Sequence, residues 1–196
     1  MRFWTLALRP VLLALGLLLA ACAPAPVFQG VDITGQGIGG DFRLQDADGR
    51  PRTLADYRGK VVALFFGYTH CPDVCPTTLA EMRAAFAELG PAAQDVQVLF
   101  VSVDPARDKP ELLKHYVPAF HPSFVGLTGS EAQIAAVAKT FQVIYQKQGS
   151  GESYTVDHTA ATYLLDRSGK TRVLVNYGSD PGVLLHDLRL LLQEDQ

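Results

Sequence analysis

The sequence predicts an α/β fold, a mixed central sheet flanked by helices with an N-terminal hairpin. Three observations carry that expectation. Val61–Phe66 and Val96–Val103 are continuous apolar runs rich in β-branched and aromatic residues. Runs of that length read as strands covered on both faces, not as membrane spans. Helical spacing follows the first run, with Leu79, Met82, Phe86 and Leu89 on one face of a segment from Thr77 to Leu89. Ala161–Leu165 and Arg172–Val175 are joined by the short turn Arg167-Ser168-Gly169-Lys170. That turn forces an antiparallel pair, whereas the earlier strands need helical crossovers and fit a parallel arrangement.

The other elements follow in order. Asp41-Phe42-Arg43-Leu44 alternates and begins a strand, Asp48-Gly49 signals a hairpin turn, and Arg52-Thr53-Leu54 is the return strand. Asp108, Pro110 and Glu111 mark the start of a helix running toward Phe120. Phe124–Leu127 is a short strand, and Ser130 with Gln133 forms a capping-box pattern opening a helix toward Phe141. Val143–Tyr145 and Tyr154–Val156 flank a polar, Gly-rich loop and pair as an added hairpin. Asp180-Pro181 starts a final helix ending near Leu192.

Between the first central strand and the first helix lies Cys71-Pro72-Asp73-Val74-Cys75. Helix N-terminal amides favour thiolate over thiol. Four residues of helix turn about 400°, so both sulfurs lie roughly on one face. Three outcomes fit this spacing: a metal site, a redox pair, or a structural disulfide of an exported protein. Thioredoxin-type redox motifs carry two intervening residues. The third one here leaves room for an ion between the sulfurs, and two thiolates alone are an incomplete site.

A mixed sheet with cysteines after its first central strand resembles the thioredoxin-like architecture. In that architecture His158, within Thr155-Val156-Asp157-His158-Thr159, lies at a junction beside the cysteine loop. Thioredoxins place a proline there; this sequence has none between Gly149 and Asp180. An imidazole at that point would face both sulfurs, and the alternative is a packed loop histidine. His70 adjoins Cys71 but points away from it in an extended loop, and His115, His121 and His186 read as surface or packing residues. Two thiolates and a neutral imidazole suit copper, the sulfurs for soft Cu(I) and the imidazole for Cu(II) as well. Structural zinc takes four protein ligands, and no fourth stands out in the sequence. Closing the two sulfurs into a disulfide would abolish binding, so copper loading and thiol redox state are expected to be coupled.

Residues 1–21 read as a lipoprotein signal peptide. Arg2 and Arg9 supply positive charge, Val11–Ala21 is apolar, and Leu19-Ala20-Ala21-Cys22 resembles a lipobox, in which Cys22 becomes the lipidated N-terminus. The rival is an uncleaved anchor helix, against which Arg9-Pro10 weighs. Either way the rest of the chain is expected outside the cytoplasm and tethered to a membrane. Residues 22–40, rich in proline and glycine, read as a flexible membrane tether, and residues 41–196 as one folded domain. A formal charge of −3 over 196 residues gives no hint of nucleic acid binding.

Three separated motifs carry a more specific resemblance. They are Phe66-Gly67-Tyr68-Thr69-His70-Cys71-Pro72-Asp73-Val74-Cys75-Pro76, Val101-Ser102-Val103-Asp104-Pro105-Ala106-Arg107-Asp108, and Asp157-His158-Thr159-Ala160 with Tyr163-Leu164. Together they resemble the Sco/SenC family, thioredoxin-like copper-binding proteins of cytochrome c oxidase assembly. The resemblance implies that Cys71, Cys75 and His158 bind copper. It implies a metallochaperone supplying the CuA centre of oxidase subunit II, with another periplasmic copper chaperone as a further partner. The alternative is a thiol-disulfide oxidoreductase that keeps the CuA cysteines reduced; a peroxidase using Thr69 beside an activated cysteine is a weaker reading. In the other motifs, Asp73 reads as a helix cap or a site residue, Arg107 with the nearby aspartates as a loop-ordering ion pair, and Tyr68 and Phe66 as the apolar wall of the site.

Overall fold

The computed structural model describes residues 27–151 and 153–194. Ten strands and four helices appear among them. The strands are β1 (Val31–Asp32), β2 (Arg43–Asp46), β3 (Pro51–Thr53), β4 (Val61–Gly67), β5 (Val96–Ser102), β6 (Val125–Thr128), β7 (Tyr145–Gln148), β8 (Thr155–His158), β9 (Ala161–Leu165) and β10 (Thr171–Asn176). The helices are α1 (Val74–Leu89), α2 (Pro110–Tyr116), α3 (Glu131–Thr140) and α4 (Pro181–Gln193).

Eight strands form one sheet in the order β1-β10-β9-β4-β5-β6-β2-β3. β4, β5 and β6 are parallel, with Val61 opposite Val96 through to Gly67 opposite Ser102. β9 joins β4 antiparallel, and β10 joins β9 across the expected tight turn. The sheet is therefore mixed, as the connection lengths require. Every residue of β4 and β5 is buried, which is why their sequences do not alternate. Phe65 and Gly67 face α1, while Phe66 packs on Phe141 and Tyr163 on the opposite side. β7 and β8 form a separate antiparallel hairpin.

Three boundaries differ from expectation for local reasons. α1 begins at Val74, not Thr77, so Cys75 lies in its first turn. α2 stops at Tyr116: Val117 caps it in helical backbone, and Pro118, having no N–H, cannot carry the ladder further. The added hairpin extends to Gln148 and His158, so His158 ends a strand rather than lying in a loop. The capping box is as read: Ser130 Oγ accepts from the Gln133 N–H at 3.2 Å and Gln133 Oε1 from the Ser130 N–H at 2.8 Å.

The tether expected over residues 22–40 needs correction from residue 27 onward. Val31 and Asp32 pair with β10, and Ile33 is buried. Asp187 of α4, fully buried, accepts hydrogen bonds from the backbone N–H groups of Gln29 and Gly30, each 2.8 Å. A Cβ at Gly30 would stand 2.7 Å from Val173 Cγ1, so a glycine is needed for this close approach. Composition alone concealed the docking, since it rests on one carboxylate far away in sequence. The signal peptide and Cys22 lie outside the described residues. Among the described residues no helix is long and apolar enough to cross a membrane.

Candidate metal centre

The centre forms where β4 ends, α1 begins and the β7–β8 hairpin folds over. β4 delivers the chain to Tyr68, and a turn closed by the Cys71 N–H on the Tyr68 carbonyl (3.3 Å) presents Cys71. Asp73 is the residue preceding α1, but its side chain makes no capping bond; the Thr77 N–H is taken by its backbone carbonyl. Cys75 is fully buried under Gly67, where a Cβ would lie 2.8 Å from its Sγ. Cys71 is partly exposed, and its Sγ accepts from the Cys75 N–H at 3.5 Å. Both cysteines are free thiols.

His158 completes the group from the end of β8. Its Nε2 lies 3.4 Å from Cys75 Sγ, and its Nδ1 donates to the Thr159 carbonyl at 3.1 Å. That bond leaves the Nε2 lone pair directed at the thiols. The rings of Phe65 and Tyr68 meet the imidazole edge-on, each centroid 6.0 Å away. Donor atoms of Cys71, Cys75 and His158 all lie within 4.8 Å of one another, and among the described residues this is the one such group. It opens to solvent through a cleft of ≈ 480 Å³ lined by Cys71, Asp73, Asp157 and His158 among others.

Burial sets the protonation states. It pushes the Cys75 thiol well above the usual range, aided by the neighbouring Cys71 sulfur. The expected helix-terminus preference for thiolate is therefore overridden at Cys75. Burial likewise lowers His158, against the opposing pull of the Thr159 carbonyl and Asp157, so the ring is neutral at pH 7. A cation entering here must displace the proton of Cys75. Two sulfurs and one imidazole nitrogen favour a soft, low-coordinate ion over one demanding four protein ligands.

The other sequence candidates stand apart from this group. His70 points its Nδ1 at Thr69 Oγ1 and is half exposed. His121 packs on Phe86 and Phe124, and His186 lies beside the Val27 carbonyl. Phe66 faces away; Phe65 and Gly67 form the wall that had been expected of Phe66 and were missed. Strand alternation from Phe66 was the signal that could have found them.

This is a thioredoxin-like fold carrying a two-thiol, one-imidazole metal centre at the end of its first central strand. The SCO1/SenC family profile matches residues 31–193, and the chain belongs to that family. A mitochondrial SCO2 homolog of Bos taurus is 45% identical over 134 residues, 66% of this chain and 50% of that protein. The chain thus spans half the length of that relative. Bradyrhizobium japonicum ScoI, solved with copper bound, is 42% identical, with TM-score 0.71 over 78% of this chain and 98% of that one. BsSco, a member of the Sco family of cytochrome c oxidase assembly proteins in which a disulfide switch was identified, is 27% identical. Its TM-score is 0.67 over 85% of this chain and 99% of BsSco.

Proposed function

We propose that the protein is a membrane-tethered, extracytoplasmic copper metallochaperone. Cys71, Cys75 and His158 hold Cu(I) or Cu(II), and the cargo goes to the CuA centre of cytochrome c oxidase subunit II. The observation that carries this reading is the convergence of three soft or borderline donors within 4.8 Å, supported by the copper held by a 42% identical relative. Transfer proceeds by ligand exchange. An incoming thiolate enters the open cleft, displaces the accessible Cys71 first, then His158 and the buried Cys75, so the ion is never free. A lipid on Cys22 keeps the domain beside a membrane-embedded client.

The asymmetry of the thiols favours a second reading, a thiol-disulfide oxidoreductase acting on the client's CuA cysteines. Cys71 lines the cleft and attacks; Cys75 is buried and resolves the mixed disulfide. The disulfide switch of BsSco supports keeping it.

An anaerobic Cu(I) titration of the reduced protein against a chromophoric chelator separates the two. One tightly held copper per chain, lost in Cys75→Ser and weakened in His158→Ala, is the result expected of the chaperone. No competitive binding, with both thiols freely titrating, transfers the assignment to the reductase.

A further inference from the structure

Both arms of the centre are gripped by one loop whose hydrogen bonds reach neither sulfur nor the imidazole. The loop runs from Ser102 at the end of β5 to Asp108 before α2. Asp108, 1% exposed, accepts the Thr69 N–H at 3.0 Å, Thr69 Oγ1 at 2.6 Å and Ser102 Oγ at 2.7 Å. Thr69 is two residues before Cys71. Ser102 Oγ in turn accepts the Asp104 N–H at 3.0 Å. Asp104 is fully buried; its carboxylate accepts Arg107 Nε and, at 2.6 Å, the Tyr154 hydroxyl. Arg107 closes the ring: Nη1 donates to the Tyr154 carbonyl at 2.9 Å, and the guanidinium lies 3.6 Å from the Tyr154 ring centroid. Tyr154 immediately precedes β8, the strand that ends at His158.

We propose that the Ser102–Asp108 loop is a positioning element of the metal centre. Asp108 sets the thiol arm, and Asp104 with Arg107 sets the imidazole arm. The proposal rests on Cys71, Cys75 and His158 being the copper ligands. The β7–β8 hairpin shares no strand pairing with the main sheet; Thr159 and Ala160 tie the His158 end of β8 to β9, and its start at Tyr154 needs a further constraint. The charge-assisted Asp104–Arg107–Tyr154 ring supplies such a constraint. Buried carboxylates are costly without partners, which disfavours intermediate arrangements of either arm. The chain thus brings together donors 83 residues apart by holding each to the same rigid strand end.

The test uses the full-length protein and the variants Arg107→Gln, Tyr154→Phe, Asp108→Asn and His158→Ala. Amide hydrogen exchange is read on the copper-free protein, and the Cu(II) electron paramagnetic resonance and sulfur-to-copper charge-transfer bands on the loaded one. Arg107→Gln and Tyr154→Phe are expected to speed exchange over residues 154–159 and not over 68–75, to shift the Cu(II) spectrum, and to weaken Cu(II) binding about tenfold. Asp108→Asn is expected to reverse the exchange pattern. Tyr154→Phe removes a single hydroxyl and keeps the test usable if Arg107→Gln unfolds. Uniformly faster exchange along the chain in these variants, or an unchanged Cu(II) spectrum where His158→Ala alters it, overturns the proposal. Unchanged copper binding in His158→Ala overturns the ligand reading instead, and with it the role of the loop toward copper.

Discussion

Cys75 Sγ and His158 Nε2 lie 3.4 Å apart across 83 residues of chain. Their separation depends on how tightly α1 sits on β4, and that depends on Gly67. A methyl group there meets Cys75 Sγ and Phe100 at 2.8 Å and Phe65 at 2.9 Å. Gly67→Ala is therefore expected to cost about 1–3 kcal/mol of stability and to weaken copper binding by displacing one thiol. Denaturant unfolding and a Cu(I) competition titration measure the two effects. Unchanged values for both would show that the site tolerates a wider gap.

The two faces of β4 separate packing from metal binding. Phe66→Leu, on the side of Phe141 and Tyr163, is expected to lower stability while leaving the Cu(II) spectrum as it is. Phe65→Leu removes a ring set edge-on to His158 and is expected to shift that spectrum. Parallel melts and absorption spectra of the copper-loaded variants decide it; equal spectral shifts from both would contradict the division.

Acid is expected to weaken two turns built alike. Asp46 and Asp166 each open a turn whose glycine, Gly49 or Gly169, takes positive φ. Burial alone would raise Asp166, but Ser168, the Lys170 N–H and Arg172 outweigh it and hold the carboxyl below its ordinary value. Asp46 is lowered in the same way, against its burial, by the Arg50 N–H, the Arg52 side chain and the Asp48 N–H. A carboxyl with a depressed folded pKa contributes stability above its unfolded pKa, and loses it as pH falls through the folded one. Stability is therefore expected to decline from about pH 4 downward, and Asp166→Asn to flatten that decline at the cost of lower stability at pH 7. Denaturant midpoints from pH 2 to 7 provide the check.

Where the domain starts is open to direct measurement. A chain beginning at residue 38 lacks β1 and leaves the Asp187 carboxylate buried without the Gln29 and Gly30 donors. It is expected to be less stable than one beginning at residue 27 by about 1–3 kcal/mol or more. Asp187→Asn in the shorter chain should recover part of that loss of stability, because it removes the unpaired buried charge. Equal melting temperatures for the two lengths would make the docking incidental.

Lipid attachment is testable at one atom. Radiolabelled fatty acid is expected to enter the wild-type chain in a bacterial host and not Cys22→Ser. Labelling that persists in the variant would move the anchor elsewhere.

What the sequence disclosed followed from periodicity and turn chemistry. Val61–Phe66 and Val96–Val103 announced the central strands because burial on both faces removes alternation, and Ser130 with Gln133 announced α3 because a capping box is local. The three donors were legible as residue types in recognisable surroundings. What stayed hidden depends on contacts between distant segments. Asp187 reaching Gln29, Gly67 making room for Cys75, and Arg107 reaching Tyr154 have no signature in local spacing. The thiol state of Cys75 was misjudged for the same reason, since the helix terminus is visible in sequence and the depth of burial is not.

The docking of Gln29 and Gly30 on Asp187 also fixes a length. If Cys22 carries the lipid, the seven residues of chain from there to Gln29 can span at most about 25 Å fully extended. A leash running on to residue 40 would have spanned more than twice that. The domain would then patrol a thin layer against the bilayer, and a client must offer its copper site within that layer. Inserting ten or more glycine and serine residues before Val27 would deepen the layer without altering affinity, so any loss of oxidase maturation would measure geometry alone.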